Sequence, residues 1–178
     1  WEGLGYYSRA KNLKKTAQTV NKNFNGKIPD NYESLLSLPG VGNYTASAIL
    51  AIAFNKPHIP LDGNIERVLK RYLYLRKEKD IQKDNLIKKK SIFGTSSRSS
   101  DYAQALMELG ALICKPINPL CNQCPISNNC KSLQKNDFDL TKKNKKKINK
   151  YFLLKVYKKD QRYLLIKNTQ FNFLKNLT

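Results

Sequence analysis

The sequence predicts a mainly α-helical protein that is followed by the start of a β-containing region. Apolar residues recur at helical spacing through much of residues 1–113, and a glycine-containing hairpin at 38–43 joins two of the predicted helices. After residue 150 the pattern changes to two short runs that are typical of strands. We therefore expect a helical region over 1–113, a cysteine loop over 114–130, a basic linker over 131–150 and the truncated start of a β-containing domain over 151–178.

The composition allows one domain and part of a second, and it favours a polyanionic partner. The chain has 178 residues, 40% of them apolar, with 33 basic and 13 acidic residues and a formal net charge of +20. This charge favours nucleic acid, although most basic residues are Lys and Asn is abundant, as in proteins of A+T-rich genomes. No stretch reaches the roughly 18 apolar residues that a membrane span needs. Because the chain begins with Trp1 instead of Met, we expect a fragment.

The first predicted helix follows a glycine-rich turn and has two tyrosines beside that turn. Its apolar residues recur at helical spacing, at Ala10, Leu13, Ala17 and Val20. Tyr6 and Tyr7 precede them, and an aromatic ring beside a duplex can fill the gap that an extruded base leaves. The alternative is that both rings are core aromatics.

The hairpin is predicted to contact a phosphate backbone. A short helix capped by Asp30 precedes it, and a second helix follows it with apolar residues at Ala46, Ile49, Leu50 and Ala53. The turn between them consists of Pro39, Gly40, Val41, Gly42 and Asn43. Because the two glycines have no Cβ, the turn can take positive φ and bring bare backbone N–H groups against a phosphate. Such a turn binds nucleic acid without reading bases.

A carboxylate, Asp62, follows the hairpin at the start of another predicted helix. Pro57 and Pro60 end the preceding helix and hold the loop extended, so that Asp62 lies directly before the next helical pattern. The apolar residues of that pattern are Ile65, Val68, Leu69 and Tyr72. An Asp in this place is often simply an N-cap. A carboxylate that accepts helix N–H groups also stays ionised, and it can stabilise positive charge on a reacting sugar, so both interpretations are compatible.

Two further helical patterns lead to the cysteines. The polar residues 76–100 predict a helix and a connecting loop, with the run Lys88–Lys90 as a solvated charged face. Residues 101–113 predict a helix whose inward-facing residues are Ala105, Leu106, Leu109, Leu112 and Ile113.

All four cysteines of the chain lie within one short, proline-containing segment. They are Cys114, Cys121, Cys124 and Cys130. Four thiolates gathered this closely repel one another unless a metal ion or cluster binds them, so the spacing predicts a metal site. Spacing alone leaves zinc and a [4Fe–4S] cluster both open. A disulfide framework is disfavoured because the rest of the chain is typical of an ordinary intracellular domain.

Taken together, these motifs resemble those of the helix-hairpin-helix DNA glycosylases of the endonuclease III superfamily. The sequence Leu61-Asp62-Gly63-Asn64-Ile65 is similar to the adenine DNA glycosylase (MutY) branch, and the cysteine spacing is similar to the cluster loop of both branches. The resemblance implies a helix-hairpin-helix glycosylase lobe with an iron–sulfur cluster loop. It also implies base-excision repair, in which adenine mispaired with 8-oxoguanine or guanine is removed by hydrolysis of its N-glycosidic bond.

The resemblance implies roles for individual residues and for partners. Asp62 is expected to be catalytic, Tyr6 to be the wedge in the duplex with Arg9 supporting it, and the four cysteines to hold a [4Fe–4S] cluster, with zinc as the alternative. The implied partner is double-stranded DNA that contains a mispaired adenine. We expect a monomer that acts on DNA in the bacterial cytoplasm.

Two departures from the relatives bear on activity. In bifunctional relatives a Lys two residues after the second hairpin glycine forms a Schiff base with the sugar, whereas here the residue is Tyr44. The resemblance thus implies removal of the base without strand cleavage, and Tyr44 is either in contact with the sugar or a residue at the edge of the lobe. In the family a Glu near the start of the domain donates a proton to the base. No Glu of this chain lies in a matching motif, so we expect DNA binding with severely reduced excision.

The last segment predicts a β-hairpin after a basic linker. Its strands are predicted over Tyr151–Tyr157 and Arg162–Lys167, with residues 158–161 as the connection. In the resembling family a Nudix-like domain at this place helps to recognise the oxidised guanine. The alternatives that the sequence leaves open are an endonuclease III-like glycosylase and lyase, a non-catalytic DNA-binding or redox module with an iron–sulfur cluster, and a zinc-ribbon interaction protein.

Overall fold

The structure is a computed structural model that describes residues 1, 5–139 and 156–164. The chain divides into two compact units, Trp1–Lys142 and Lys143–Thr178, which are considered separately below. Most of the predicted basic linker and most of the predicted second domain lie outside the described residues.

The first unit is helical, as the sequence predicts. The α-helices of its described residues are α1 (Tyr7–Asn23), α2 (Tyr32–Leu36), α3 (Asn43–Ala48), α4 (Gly63–Leu73), α5 (Lys83–Lys89), α6 (Ser99–Glu108) and α7 (Lys131–Gln134). One π-helical turn extends α3 over Ile49–Ala53, and another extends α6 over Leu109–Ile113. Short 3₁₀ segments cover Glu78–Ile81, Lys90–Phe93, Cys121–Gln123 and Ser127–Asn129. No helix in the described part of the chain is long and apolar enough to cross a membrane.

Two apolar clusters hold this unit together. The first joins the end of α1 to α2 and α3, and its buried members are Val20, Leu35, Leu38, Ala46 and Leu50. The second joins the loop before α4 to α4, α5 and α6, and its buried members are Ile59, Leu61, Ile65, Leu69, Leu75, Leu86 and Leu106. The hairpin therefore packs in the first cluster and the loop that carries Asp62 packs in the second.

The first turn of α2 differs from the prediction in its cap. Asn31, rather than Asp30, is the N-cap, and its Oδ1 accepts a hydrogen bond from the Ser34 N–H at 2.9 Å. Asp30 instead forms an ion pair with Lys56 at 2.8 Å. Asn and Asp are both favoured N-cap residues. Here Lys56, which is distant in the sequence, pairs with Asp30, and Asn31 caps the helix.

The inward face of α6 also differs in part from the prediction. Leu106 and Leu109 are buried as expected, but Ala105 and Leu112 are exposed. The buried face follows Ser99, Ala103, Leu106 and Gly110. This face contains a serine and a glycine, which an apolar count does not detect, and Gly110 lies against Asn64 at the start of α4.

In the second unit, the described residues form a two-residue-turn hairpin. Strand β1 (Lys158–Lys159) pairs antiparallel with β2 (Arg162–Tyr163), so the prediction that residues 158–161 form the connection is wrong. The turn is Asp160–Gln161, and both residues have positive φ, at 47° and 64°. Two-residue turns with positive φ match the twist of the flanking strands. Residues 151–155 and 165–167 of the predicted strands lie outside the described residues.

Candidate functional site

The hairpin has the tight turn that its glycines predict. Gly40 has φ +79°, and the Val41 N–H donates to the Leu38 carbonyl at 3.1 Å. Gly42 differs from the prediction of positive φ, because it has φ −107° with ψ −179° and is the N-cap of α3. One glycine thus provides the left-handed turn, and the other provides an open backbone with no atom within 4 Å of a built Cβ.

The first turn of α3 presents unsatisfied backbone donors. Among the described residues, the N–H groups of Gly42, Asn43, Tyr44 and Thr45 have no backbone or side-chain acceptor in the protein. These four groups point out of the N-terminal end of a helix, where the helix dipole favours a negative ligand. The arrangement can therefore bind a phosphate.

A groove brings α1 and the hairpin together. The Thr16 hydroxyl donates to the Pro39 carbonyl at 2.6 Å, and Asn12 packs directly against Gly40. The groove between them has a volume of about 400 Å³, and its lining includes Arg9 and Val41. The structure thus places Arg9 beside the hairpin, and its role in a DNA-binding surface stays a prediction.

The two tyrosines at the start of α1 are both exposed. Tyr6 is the N-cap residue with φ 46°, its ring is 79% exposed, and its carbonyl accepts the Arg9 N–H at 2.8 Å. Tyr7 is also exposed, so neither ring belongs to the core of the described residues. A projecting ring at the end of a helix is available for contact with a ligand, and the role of Tyr6 as a wedge stays a prediction.

Asp62 is the N-cap of α4. Its Oδ1 accepts the Ile65 N–H at 2.7 Å, and the side chain is partly buried. In the part of the chain that the structure describes, Oδ2 has no hydrogen-bond partner. Cap formation therefore fixes one carboxylate oxygen and leaves the other available, so both interpretations of Asp62 are compatible with its geometry.

The helix after the hairpin and the loop before Asp62 meet at a small cleft. Tyr44, which is 41% exposed, and Leu61 both line it. So does Lys90, whose Nζ donates to the Ile59 carbonyl at 2.8 Å. Burial lowers the pKa of Lys90. Lys90 was predicted to lie on a solvated face, and this prediction is wrong, because its ammonium group is turned inward against the Asp62 loop.

The four cysteines line one cavity. It is bounded by Arg71 and Phe138, and its cysteines are Cys114, Cys121, Cys124 and Cys130. All four are free thiols, and no group of three or more His, Cys, Asp or Glu in the described residues is arranged around a single metal ion. Four sulfur donors without a His are the ligand set of an iron–sulfur cluster or of zinc.

The electrostatics of the thiols reflect their proximity. Burial raises the pKa of Cys121, and the neighbouring Cys114, Cys130 and Cys124 raise it further. Burial also raises the pKa of Cys124. Thiols with a raised pKa, such as Cys121 and Cys124, become stable thiolates when a cationic centre binds them, and the donor set of this cavity fits such a centre.

Two arginines of α4 were not found by sequence reasoning. Arg67 Nε donates to the Cys114 carbonyl at 2.8 Å, and its guanidinium also reaches the Asn64 side chain and the Gly110 carbonyl. Arg71 lies one turn later and also contacts Cys114. The sequence does show that these two arginines are four residues apart and therefore lie on the same side of the helix. It does not show which residues they contact.

Comparisons with known proteins agree with this geometry. A sequence model of the helix-hairpin-helix motif matches residues 23–52. The chain is 43% identical over 164 residues to the adenine DNA glycosylase of Buchnera aphidicola subsp. Baizongia pistaciae, covering 89% of this chain and 47% of the relative. It is 39% identical over 142 residues to the human adenine DNA glycosylase, covering 76% of this chain and 25% of the relative. The chain spans about half the length of the bacterial relative.

The solved structures that it resembles are DNA glycosylases. A non-covalent endonuclease III–DNA complex matches with a TM-score of 0.61 and 29% identity, covering 75% of this chain and 61% of that one. A thermostable thymine-DNA glycosylase matches with a TM-score of 0.60 and 30% identity, covering 71% and 59%. The hairpin and the helices around Asp62 thus have the helix-hairpin-helix DNA glycosylase fold. Within this superfamily, the chain is similar to the adenine DNA glycosylases (MutY).

Proposed function

We propose that the chain is the hairpin and cluster region of a monofunctional adenine DNA glycosylase that acts on adenine paired with 8-oxoguanine or guanine. The observation that carries the proposal is Asp62, which has one oxygen fixed on the Ile65 N–H and the other without a partner among the described residues. The Leu61 side of its loop shares a cleft with Tyr44 of the hairpin helix. We propose that a nucleoside held by the hairpin meets the carboxylate, which follows Leu61 directly in the chain.

Cleavage of the base–sugar bond builds positive charge on the sugar and negative charge on the departing purine. In our proposal Asp62 Oδ2 stabilises the positive sugar or bonds to it transiently. The cap hydrogen bond holds the carboxylate in a fixed orientation at the start of α4. Tyr44 has no amine and cannot form a Schiff base with the sugar, so we propose hydrolysis without strand cleavage, with the Tyr44 ring or hydroxyl against the sugar.

The hairpin and the start of α1 are proposed to hold the duplex. The free N–H groups after Gly42 support phosphate binding, with Pro39, Gly40, Val41 and Asn43 shaping the turn. The exposed Tyr6 ring is proposed to enter the base stack. Arg9 lines the groove beside the hairpin and is proposed to support the same surface. We propose double-stranded DNA with a mispaired adenine as the partner, bound by a monomer in the bacterial cytoplasm.

We propose that the four cysteines hold a [4Fe–4S] cluster rather than zinc. The all-sulfur donor set and the similarity to adenine DNA glycosylases support this proposal. When bound, the cluster would stabilise the loop over 114–130 and would take no part in the hydrolysis. We further propose that 1–113 forms the glycosylase region, that 131–150 is a basic linker, and that 151–178 belongs to a Nudix-like domain.

The proposal is tested with Asp62→Asn and Asp62→Ala. Asn caps a helix as well as Asp does, whereas Ala does not. Asp62→Asn therefore keeps the stability of α4 and removes only the charge. We expect wild-type chain to release adenine slowly from a duplex with adenine opposite 8-oxoguanine, and Asp62→Asn to reduce the single-turnover rate at least about 100-fold. Duplex binding measured by fluorescence anisotropy should be unchanged.

Four outcomes would overturn parts of the proposal. Equal adenine release by wild type and Asp62→Asn would remove Asp62 from the chemistry. Strand cleavage without added alkali would indicate an endonuclease III-like lyase. Duplex binding with no adenine release by any variant would favour a non-catalytic DNA-binding module. A colourless, zinc-containing preparation would overturn the cluster but not the hydrolysis.

A further inference from the structure

Arg71 is a buried arginine that faces the cysteine cavity. It lies in the last turn of α4 and is 3% exposed. Its guanidinium donates to the carbonyls of Lys115 at 2.6 Å, Pro116 at 2.9 Å and Phe138 at 3.2 Å. It also lies 3.4 Å from the Cys114 Sγ. One side chain thus ties together the loop after the first cysteine, the segment after α7 and a sulfur atom.

The charge of Arg71 has no carboxylate partner. The ion pairs of the described residues involve other cations, and none of the described Asp or Glu side chains pairs with Arg71. Arg76, five residues later, is paired with Asp137 at 2.8 Å. A buried cation without an anion is costly, and carbonyl dipoles offset only part of this cost. The compensating negative charge must therefore come from the cavity that Arg71 lines.

Four thiolates carry more negative charge than the cluster core that they bind neutralises. We propose that Arg71 is a positioning residue for the cysteine centre, that its positive charge and its hydrogen bond to Cys114 Sγ raise the reduction potential of the cluster, and that its carbonyl bonds hold the loop closed over it. This inference rests on the cluster assignment in the proposed function. Positive charge and hydrogen bonds to sulfur both favour the more reduced, more negative state of such a centre.

The two effects of Arg71 can be separated by two substitutions. Arg71→Gln removes the charge, whereas Arg71→Lys keeps a charge but loses the planar fork that reaches several carbonyls. Arg76→Gln is the matched control. It removes the same charge three residues beyond the end of α4, and Arg76 has no bond to a cysteine in the described part of the chain.

The measurements are made on the full chain with iron and sulfide contents determined first. We expect Arg71→Gln to lower the midpoint potential by at least about 59 mV, a tenfold change in the one-electron equilibrium. We expect it to lose iron to a chelator at least about tenfold faster than wild type. Arg71→Lys should keep a potential close to wild type and still lose iron faster. Arg76→Gln should match wild type in both measurements.

Each result bears on the inference. If Arg71→Gln does not fold, Arg71→Lys decides by its iron loss alone. If the Arg71 variants match Arg76→Gln in potential and in iron loss, the inference is overturned while the cluster assignment stands. If wild type contains zinc or no iron, the cluster assignment and this inference both fall, whereas adenine release by wild type still decides the proposed hydrolysis.

Discussion

Gly110 controls how closely the end of α6 approaches the helix that begins at Asp62. A Cβ built on Gly110 would lie 2.6 Å from the Asn64 Cβ and 2.8 Å from the Asn64 backbone C and O atoms. Backbone atoms cannot rotate away as the end of a flexible side chain can. The substitution Gly110→Ala must therefore push the start of α4 away from the π-helical turn at 109–113, or strain both.

The size of the effect follows from two opposing contributions. Overpacking a core costs about 1–3 kcal/mol, and here the contact is with backbone. Replacing a helical Gly by Ala also stabilises the folded state by about 1 kcal/mol, because Ala has the higher helix propensity. We expect a net loss of about 1–2 kcal/mol in the free energy of unfolding, which lowers the melting temperature by roughly 2–8 °C for a domain of this size.

Gly63→Ala is the matched control at the same helix junction. No atom lies within 4 Å of a Cβ built on Gly63, and its φ is not positive. Its stability should equal or slightly exceed that of wild type, by up to about 1 kcal/mol. Thermal unfolding followed by far-UV circular dichroism compares the three chains at equal iron content. A Gly110→Ala chain that melts with or above Gly63→Ala would refute the close approach.

A second variant separates side-chain contact from backbone contact. Asn64→Gly removes the nearest side-chain atom but leaves the Asn64 backbone in place. The double variant Asn64→Gly, Gly110→Ala should therefore recover only part of the lost stability. Because Arg67 donates to the Gly110 and Cys114 carbonyls, displacement of α4 should also speed the loss of iron from the proposed cluster in Gly110→Ala.

Two further predictions concern the hairpin and the acid stability of the fold. Gly40→Ala should lose about 2 kcal/mol or more, since positive φ costs about 1–2 kcal/mol and a Cβ would lie 2.7 Å from the Asn12 Cβ. Gly42→Ala should stay within about 0.5 kcal/mol of wild type but weaken duplex binding in anisotropy titrations; unchanged binding would contradict phosphate contact there. The Tyr74 hydroxyl at 2.7 Å holds the pKa of Asp137 below its usual range. Its stabilising effect is therefore present above about pH 4 and is lost as pH falls through the lowered value, so the difference in melting temperature between wild type and Asp137→Asn should shrink on acidification.

Local patterns predicted the elements of the site, because each depends on residues close together in the chain. The period of Ile65, Val68 and Leu69 marks the buried face of α4, and all three are buried. The prolines before Asp62 end one helix and place the carboxylate at the start of the next, where it caps. The left-handed turn at Gly40 likewise follows from a local sequence that a residue with Cβ could adopt only with strain.

Features that depend on distant residues could not be predicted in this way. Arg67 and Arg71 reach the segment 114–116, more than 40 residues later, and the helical period of α4 does not show what they contact. Gly110 lies within an apolar run, so its role in close packing is invisible in the pattern. The connection of the hairpin in the second unit was predicted over 158–161, two residues longer than the turn that the structure has. Asp160–Gln161 adopts this turn with positive φ, for which neither residue is a strong signal.

Lys90 makes such a distant contact, and this contact helps to fix the loop that carries Asp62. A run of three lysines predicts a solvated face, and a single-sequence argument has no reason to separate its last member. In the structure, Lys90 lies directly after α5 and its side chain points inward. Its ammonium group donates to the carbonyl of Ile59, in the loop that carries Asp62. The loop is thereby held at both of its ends, by Lys90 at Ile59 and by the helix cap at Asp62. The position of the carboxylate relative to the hairpin is therefore a property of the packed α3, α4 and α5 helices, and the motif around Asp62 supplies only the chemical group.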